Sequence, residues 1–261
     1  DSDYDGGGSR AGAASSVSNA SGDQDRDVTI TPSGATGTFS ALGVEGAPAG
    51  LMGGGYRSGL AVAGSGTTWT FSSAKSTNLA DLGDGTLVVG IVTEADITIS
   101  GVTYGGNAMT SRGSVVNTGA SPDLVCHFFS ISFSQAGTHS GNIVATASGT
   151  VTGLTALAVC FQLYNVGSFG TAGSAQGNAA GAAASVNINA GGIILAIHAR
   201  GTNTQTVSWT GTDEVLDVSI ASAFRASAAV YHHAAAETGR SITASGSASG
   251  QYATLALPVN P

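Results

Sequence analysis

Within residues 85–92, Leu87, Val89 and Ile91 fall on one side of an extended chain and Val88 and Val92 on the other, so a strand here is apolar on both faces. Such a strand belongs in the middle of a sheet. Glu94-Ala95-Asp96 interrupts the run with charge, and Ile97, Ile99, Val102 and Tyr104 then alternate with small or polar residues, the pattern of a strand with one wet face. Gly105-Gly106-Asn107 supplies the positive φ values of a tight hairpin turn, after which Met109 leads a returning strand. The whole stretch, 85–110, reads as the central hairpin of the sheet.

The same alternation marks Trp69 and Phe71, then residues 114–116, 124–133, 142–147, 155–166, 184–189, 192–199, 206–210, 215–220, 224–232 and 251–259. Gly, Asn and Ser clusters separate nearly all of them. About ten short strands at this spacing predict an all-β, antiparallel two-sheet β-sandwich, jelly-roll-like or immunoglobulin-like. Residues 179–184 are the one segment with helical composition, and they are too short to form an independent helix.

Composition supports this reading. The chain has 261 residues with 40 glycines and only 9% charged residues, which leaves few helix-forming windows. Its net charge of −8 is concentrated at one end: six aspartates against two arginines give −4 in residues 1–27. There is one lysine, Lys75, and no basic cluster interleaved with aromatics, so nucleic acid is not an expected partner. No apolar run reaches the roughly 18 residues of a membrane span, and no secretory leader pattern opens the chain. The sequence therefore predicts a soluble chain.

Residues 1–66 read as a Gly/Ser/Ala-rich N-terminal arm and connector, and residues 67–261 as the sandwich domain. The first 27 residues have too few large apolar groups to offset the entropy of ordering on their own. Val28, Ile30, Phe39 and Leu42 form a short β-like phrase after them, and these four are the anchors expected of an assembly arm lying along a neighbouring subunit. Leu51, Met52, Tyr56 and Leu60 are apolar points within the Gly-rich connector.

The succession TLVVGIVT, ITISGVTYGGNAMT, LVCHFFSISF, SGNIVATAS, LTALAVCFQLYNV and INAGGIILAIHARG resembles a β-sandwich domain of phage virion proteins and bacterial secreted or surface proteins. Its mark is a V-T-Y-G-G-x-x-[ML]-T hairpin. The resemblance covers residues 67–261, leaves the arm outside, and implies a structural or display module without catalytic residues.

Candidate chemistry is sparse. Asp1, Asp3 and Asp5 match the opening of a calcium loop, but Gly12 stands where a bidentate glutamate is required, so a solvated acidic tail is the plainer reading. Cys126 and Cys160 each lie opposite the bulky side of their strands and form a possible disulfide if those strands are close; buried free thiols are the alternative. His232 and His233 point to opposite faces of a strand, so with Glu237 they make a metal pair only if the backbone bends. His127 reads as a hydrogen-bonded core histidine. His198 and Arg200 share one face, expected to be a polar outer ladder. Asp213, Glu214 and Asp217 are the one local carboxylate group outside the arm, the kind a glycoside hydrolase pairs, yet GTDE reads as a turn. Trp209, Asp213 and Tyr231 are weak glycan-contact candidates. No nucleophile elbow, phosphate loop or C-x-x-C is present.

These features predict a non-enzymatic structural subunit of a phage or phage-like particle: a decoration, fibre or tail-associated virion protein that self-associates through its arm, without a cofactor. Its partners are then copies of itself and other particle proteins, with a cell-surface glycan as a further candidate. A bacterial extracellular fibre or surface-layer subunit and a carbohydrate-binding module are the alternatives.

Overall fold

The computed structural model describes residues 52–71, 85–133, 141–202, 204–220 and 224–261, and within these the side chains of 62–65 and 151–155 are set aside. Val28, Ile30, Phe39, Leu42, Asp1, Asp3 and Asp5 thus lie outside the described residues. What is described is all-β, with sixteen antiparallel strands and no helix.

The first sheet is built on strand β7 (Ile143–Tyr164), which pairs along one side with β1 (Gly53–Phe71). On its other side the first part of β7 pairs with β3 (Ile99–Tyr104), and the second part pairs with β2 (Gly85–Glu94). From β2 the sheet continues through β6 (Leu124–Phe133) to β5 (Thr110–Asn117), while β3 carries the short β4 (Asn107–Ala108). Nine of the ten residues of β2 are buried, as the two-sided apolar pattern requires of a central strand. The β3–β4 turn takes φ values of 56° at Gly105 and 83° at Gly106, as the hairpin signature predicts. That hairpin is at the margin of the sheet and not at its centre, because β2 and β3 both pair with β7 and not with each other.

The second sheet runs β13 (Asp213–Ile220), β14 (Phe224–His232), β11 (Ile193–Arg200) and β16 (Gly250–Asn260), and β16 is flanked by β8 (Ser168–Phe169) and β9 (Gly173–Ala179). A third sheet orders β10 (Ala183–Ile188), β15 (Glu237–Gly246) and β12 (Val207–Thr210). Residues 179–184, the segment of helical composition, are the last residue of β9, a three-residue connection and the first two residues of β10.

Three cores follow from this layering. Val88, Val92, Phe128, Leu157, Phe161 and Leu163 of the first sheet face Leu195, Ile197, Phe224, Leu255 and Leu257 of the second. The opposite face of the first sheet, with Leu87, Val89, Ile91 and Phe129, shares a core with Trp69, Phe71, Val102, Tyr104 and Ile143. Both sets belong to one sheet, so that sheet curls upon itself. The Tyr104 ring of β3 meets the Phe133 ring of β6 at 5.9 Å. The third core joins the back of the second sheet (Ile194, Ala196, Ala229, Ala256) to Ala184, Val186, Ile188 and Ile242 of the third.

Two expectations change here. Residues 53–66, read as connector, are the first part of β1; its glycines and a register shift between Tyr56 and Ser58, which turns Tyr56 to the inter-sheet core and Leu60 to the curled core, hide the strand alternation. Cys126 and Cys160 are both buried free thiols. The bulky side of β6 faces the curled core and that of β7 faces the inter-sheet core, so the two thiols point to opposite faces with β2 between their strands. No disulfide joins them. Burial pushes the Cys160 thiol up to about 11 and raises that of Cys126 further still.

Candidate functional site

His198 and Arg200 do share a face of β11, but that face is not a surface ladder: both are fully buried, because the third sheet covers the back of the second. His198 Nδ1 lies 2.8 Å from Thr254 Oγ1, and the imidazole stacks on Tyr252 with ring centroids 6.1 Å apart. Arg200 Nε donates to Gln205 Oε1 at 2.5 Å, its Nη1 donates to Ala180 O at 2.9 Å and Nη2 donates to Ala179 O at 3.1 Å and to Ala248 O. A buried guanidinium is thereby satisfied by carbonyl dipoles from the β9–β10 and β15–β16 connections. It ties the third sheet to the second.

The glycan candidates sit beside this layer. Trp209 of β12 is half-buried, donates from Nε1 to Ser227 Oγ at 2.6 Å, and meets the His198 ring edge-on at 6.1 Å. Its indole closes the margin of the third core. Tyr231 of β14 has the Arg240 guanidinium 4.6 Å above its ring and His233 edge-on at 5.4 Å, so one of its faces is already covered. Asp213 is exposed at the start of β13, in register with Val230.

Of the neighbouring carboxylates, Asp217 is held bidentately by Arg225, at 2.5 Å from Nε and 2.6 Å from Nη2, and also accepts from the Val207 N–H at 3.3 Å. That pairing is a bidentate, charge-assisted contact between β13 and β14. Burial raises the Glu214 carboxyl, Asp217 adds to the shift and Arg225 opposes it.

Adjacent His232 and His233 diverge as strand geometry requires. His233 Nε2 lies 2.8 Å from Glu237 Oε2, an oxygen that also accepts from Arg240 Nη1 at 3.1 Å. Arg240, then His233, lowers the Glu237 carboxyl. Among the described residues no group of three or more His, Cys, Asp or Glu side chains is arranged to hold a metal ion. His127 is partly buried, with Nε2 at 2.7 Å from Ser111 Oγ, in keeping with a hydrogen-bonded histidine at the sheet face.

The remaining feature with functional geometry is the border of the first sheet. Among the described residues β1 pairs with β7 alone. Gly54, Arg57, Ala61, Thr67, Thr68 and Thr70 are exposed along its length. The opposing border of the second sheet is β13, whose Leu216 reaches toward Gly59 of β1. Tyr56, Leu216 and Val218 are half-buried against the inter-sheet core at this opening. An open strand of this kind offers a row of backbone donors and acceptors, the group that binds added strands.

No family model matches the chain, and neither the curated proteins nor the solved structures contain a match to it.

Proposed function

We propose that the chain is a non-enzymatic structural subunit of a phage or phage-like particle, in the class of decoration, fibre or tail-associated proteins, which self-associates through its N-terminal arm. The observation that carries this is the 19-residue strand β1, paired on one side only among the described residues and bearing a single charge, Arg57. Eight residues separate it from a sequence phrase, residues 28–44, that has β-like alternation and no charge. The two together make a donor and an acceptor within one polypeptide. The hairpin resemblance supports the virion setting.

Deleting residues 1–45 tests the reading. The expected product is a folded monomer that no longer assembles, by sedimentation velocity and electron microscopy; particles or filaments from the truncated protein would overturn it. A bacterial extracellular fibre or surface-layer subunit would use the same edge. A carbohydrate-binding module would instead use the exposed side of Tyr231, and binding across a diverse glycan panel that is lost in Tyr231→Ala would favour it.

A further inference from the structure

We infer that residues 58–64 of β1 are the acceptor for a strand donated by residues 28–44 of a second copy of this chain; the inference rests on the assembly reading above and names its docking site. The register with β7 runs without a shift from Ser58↔Cys160 to Gly64↔Leu154, and irregularities flank it on both sides, between Tyr56 and Ser58 and between Gly64 and Gly66. This leaves a regular seven-residue window, SGLAVAG, with no charge and no proline. Arg57, the one charged residue of β1, falls in the irregular step before it.

Three other borders, β13, β5 and β12, carry devices that discourage pairing. β13 has Asp213, Glu214 and Asp217 and a register shift between Glu214 and Leu216. β5 has Arg112 within a shift between Ser111 and Gly113, and β12 is only four residues long. The β1 window lacks these devices and lies beside half-buried Tyr56, Leu216 and Val218, which alternate residues of an added strand would cover.

The occupant follows from the chain that precedes β1. Residues 1–27 carry a net −4, whereas residues 28–44 are uncharged and contain Val28, Ile30, Phe39 and Leu42. Met52 is buried in the inter-sheet core, and its N–H donates to Gly191 O at 3.3 Å, on the turn between β10 and β11. Met52, the described residue that leads into β1, is therefore anchored on the turn that opens β11.

The test uses full-length protein. Amide hydrogen exchange across residues 58–64 should slow at least tenfold on going from dilute monomer to assembly. Ala61→Lys, at an exposed position, should raise the concentration for half-assembly at least tenfold while Ala61→Ser stays within about twofold. In mixtures of two differently tagged chains, Ala61→Cys in one should form a disulfide with Val28→Cys, Ile30→Cys or Phe39→Cys in the other. Unchanged exchange in 58–64, or cross-links from the arm only to other sites, would overturn this acceptor while leaving arm-driven assembly standing. Cross-links formed only within one chain would overturn the exchange between copies. Assembly of the 1–45 deletion would remove the arm reading and this inference together.

Discussion

Arg200 and His198 show what a buried polar side chain does in a β-layer with little charge. Arg200 is satisfied by three backbone carbonyls and the Gln205 amide oxygen. Arg200→Met would leave those acceptors unpaired between two sheets, at a cost of about 3 kcal/mol or more, read as a lower urea midpoint with an unchanged slope. Arg200→Lys should recover only part of the loss, since an ammonium cannot span both connections as the guanidinium fork does. Two histidines contribute to acid stability. Burial first, then the charge of Arg200, holds His198 down at about 3, and burial holds His127 at about 4. Both are neutral in the folded protein, whereas the unfolded chain protonates them below about 6.5. The unfolded state therefore binds more protons across the window from about 6.5 down to about 4, and stability falls with acid by up to about 1.4 kcal/mol per pH unit per histidine. Below about 4 only His198 still contributes. His198→Asn should flatten the dependence by about one proton, measured from urea midpoints at a series of pH values.

At the level of the strands, close approach of the two main sheets depends on Gly90 of β2. A Cβ there would lie 2.8 Å from Ile197 Cγ2 and 3.1 Å from Phe128 Cε1, both in the inter-sheet core. Gly90→Ala is expected to destabilise the domain by about 1–3 kcal/mol, since a β-branched side chain and a packed ring have little room to yield. The strands that alternate cleanly, such as β2, β6 and β11, were legible in the sequence, and so was the β3–β4 turn. β15, ETGRSITASG, was not, because only Ile242 and Ala244 of that strand are buried hydrophobics and the rest of it faces water or polar neighbours. β1 was hidden by its glycines. The third sheet decided the largest correction: alternation identified the shared face of His198 and Arg200, but which layer covers a face is a long-range property that periodicity does not encode. The two thiols followed the opposite course, since their positions opposite the bulky sides of β6 and β7 already placed them on different faces once the strand order was known.

For the molecule as a whole, the described residues form three cores between layers of strand, and β1 is the border to which the association proposed above is assigned. Because the β1 window and residues 28–44 carry no charge, assembly through them should depend little on ionic strength. Raising salt from about 0.05 M to about 1 M, which shortens the screening length to about 3 Å, should shift the half-assembly concentration by less than about threefold. A steep loss of assembly with salt would point to the acidic first 27 residues instead. Both thiols should resist alkylation in the native protein and react on unfolding, and reducing agent should leave the unfolding midpoint where it is, since burial and not a bridge keeps them inert.

The pairing of β1 with β7 also sets a schedule. Its contacts run from Phe71↔Ile143, 72 positions apart, to Gly53↔Tyr164, 111 positions apart. At about 5–20 residues per second, a ribosome delivers the far end of β7 about 5–20 s after β1 has been made. Through that interval β1 waits without its partner and with both sides open. Crowded synthesis of many copies is then the condition under which β1 strands of neighbouring nascent chains meet each other first, and slowing initiation should raise the yield of correctly folded subunit.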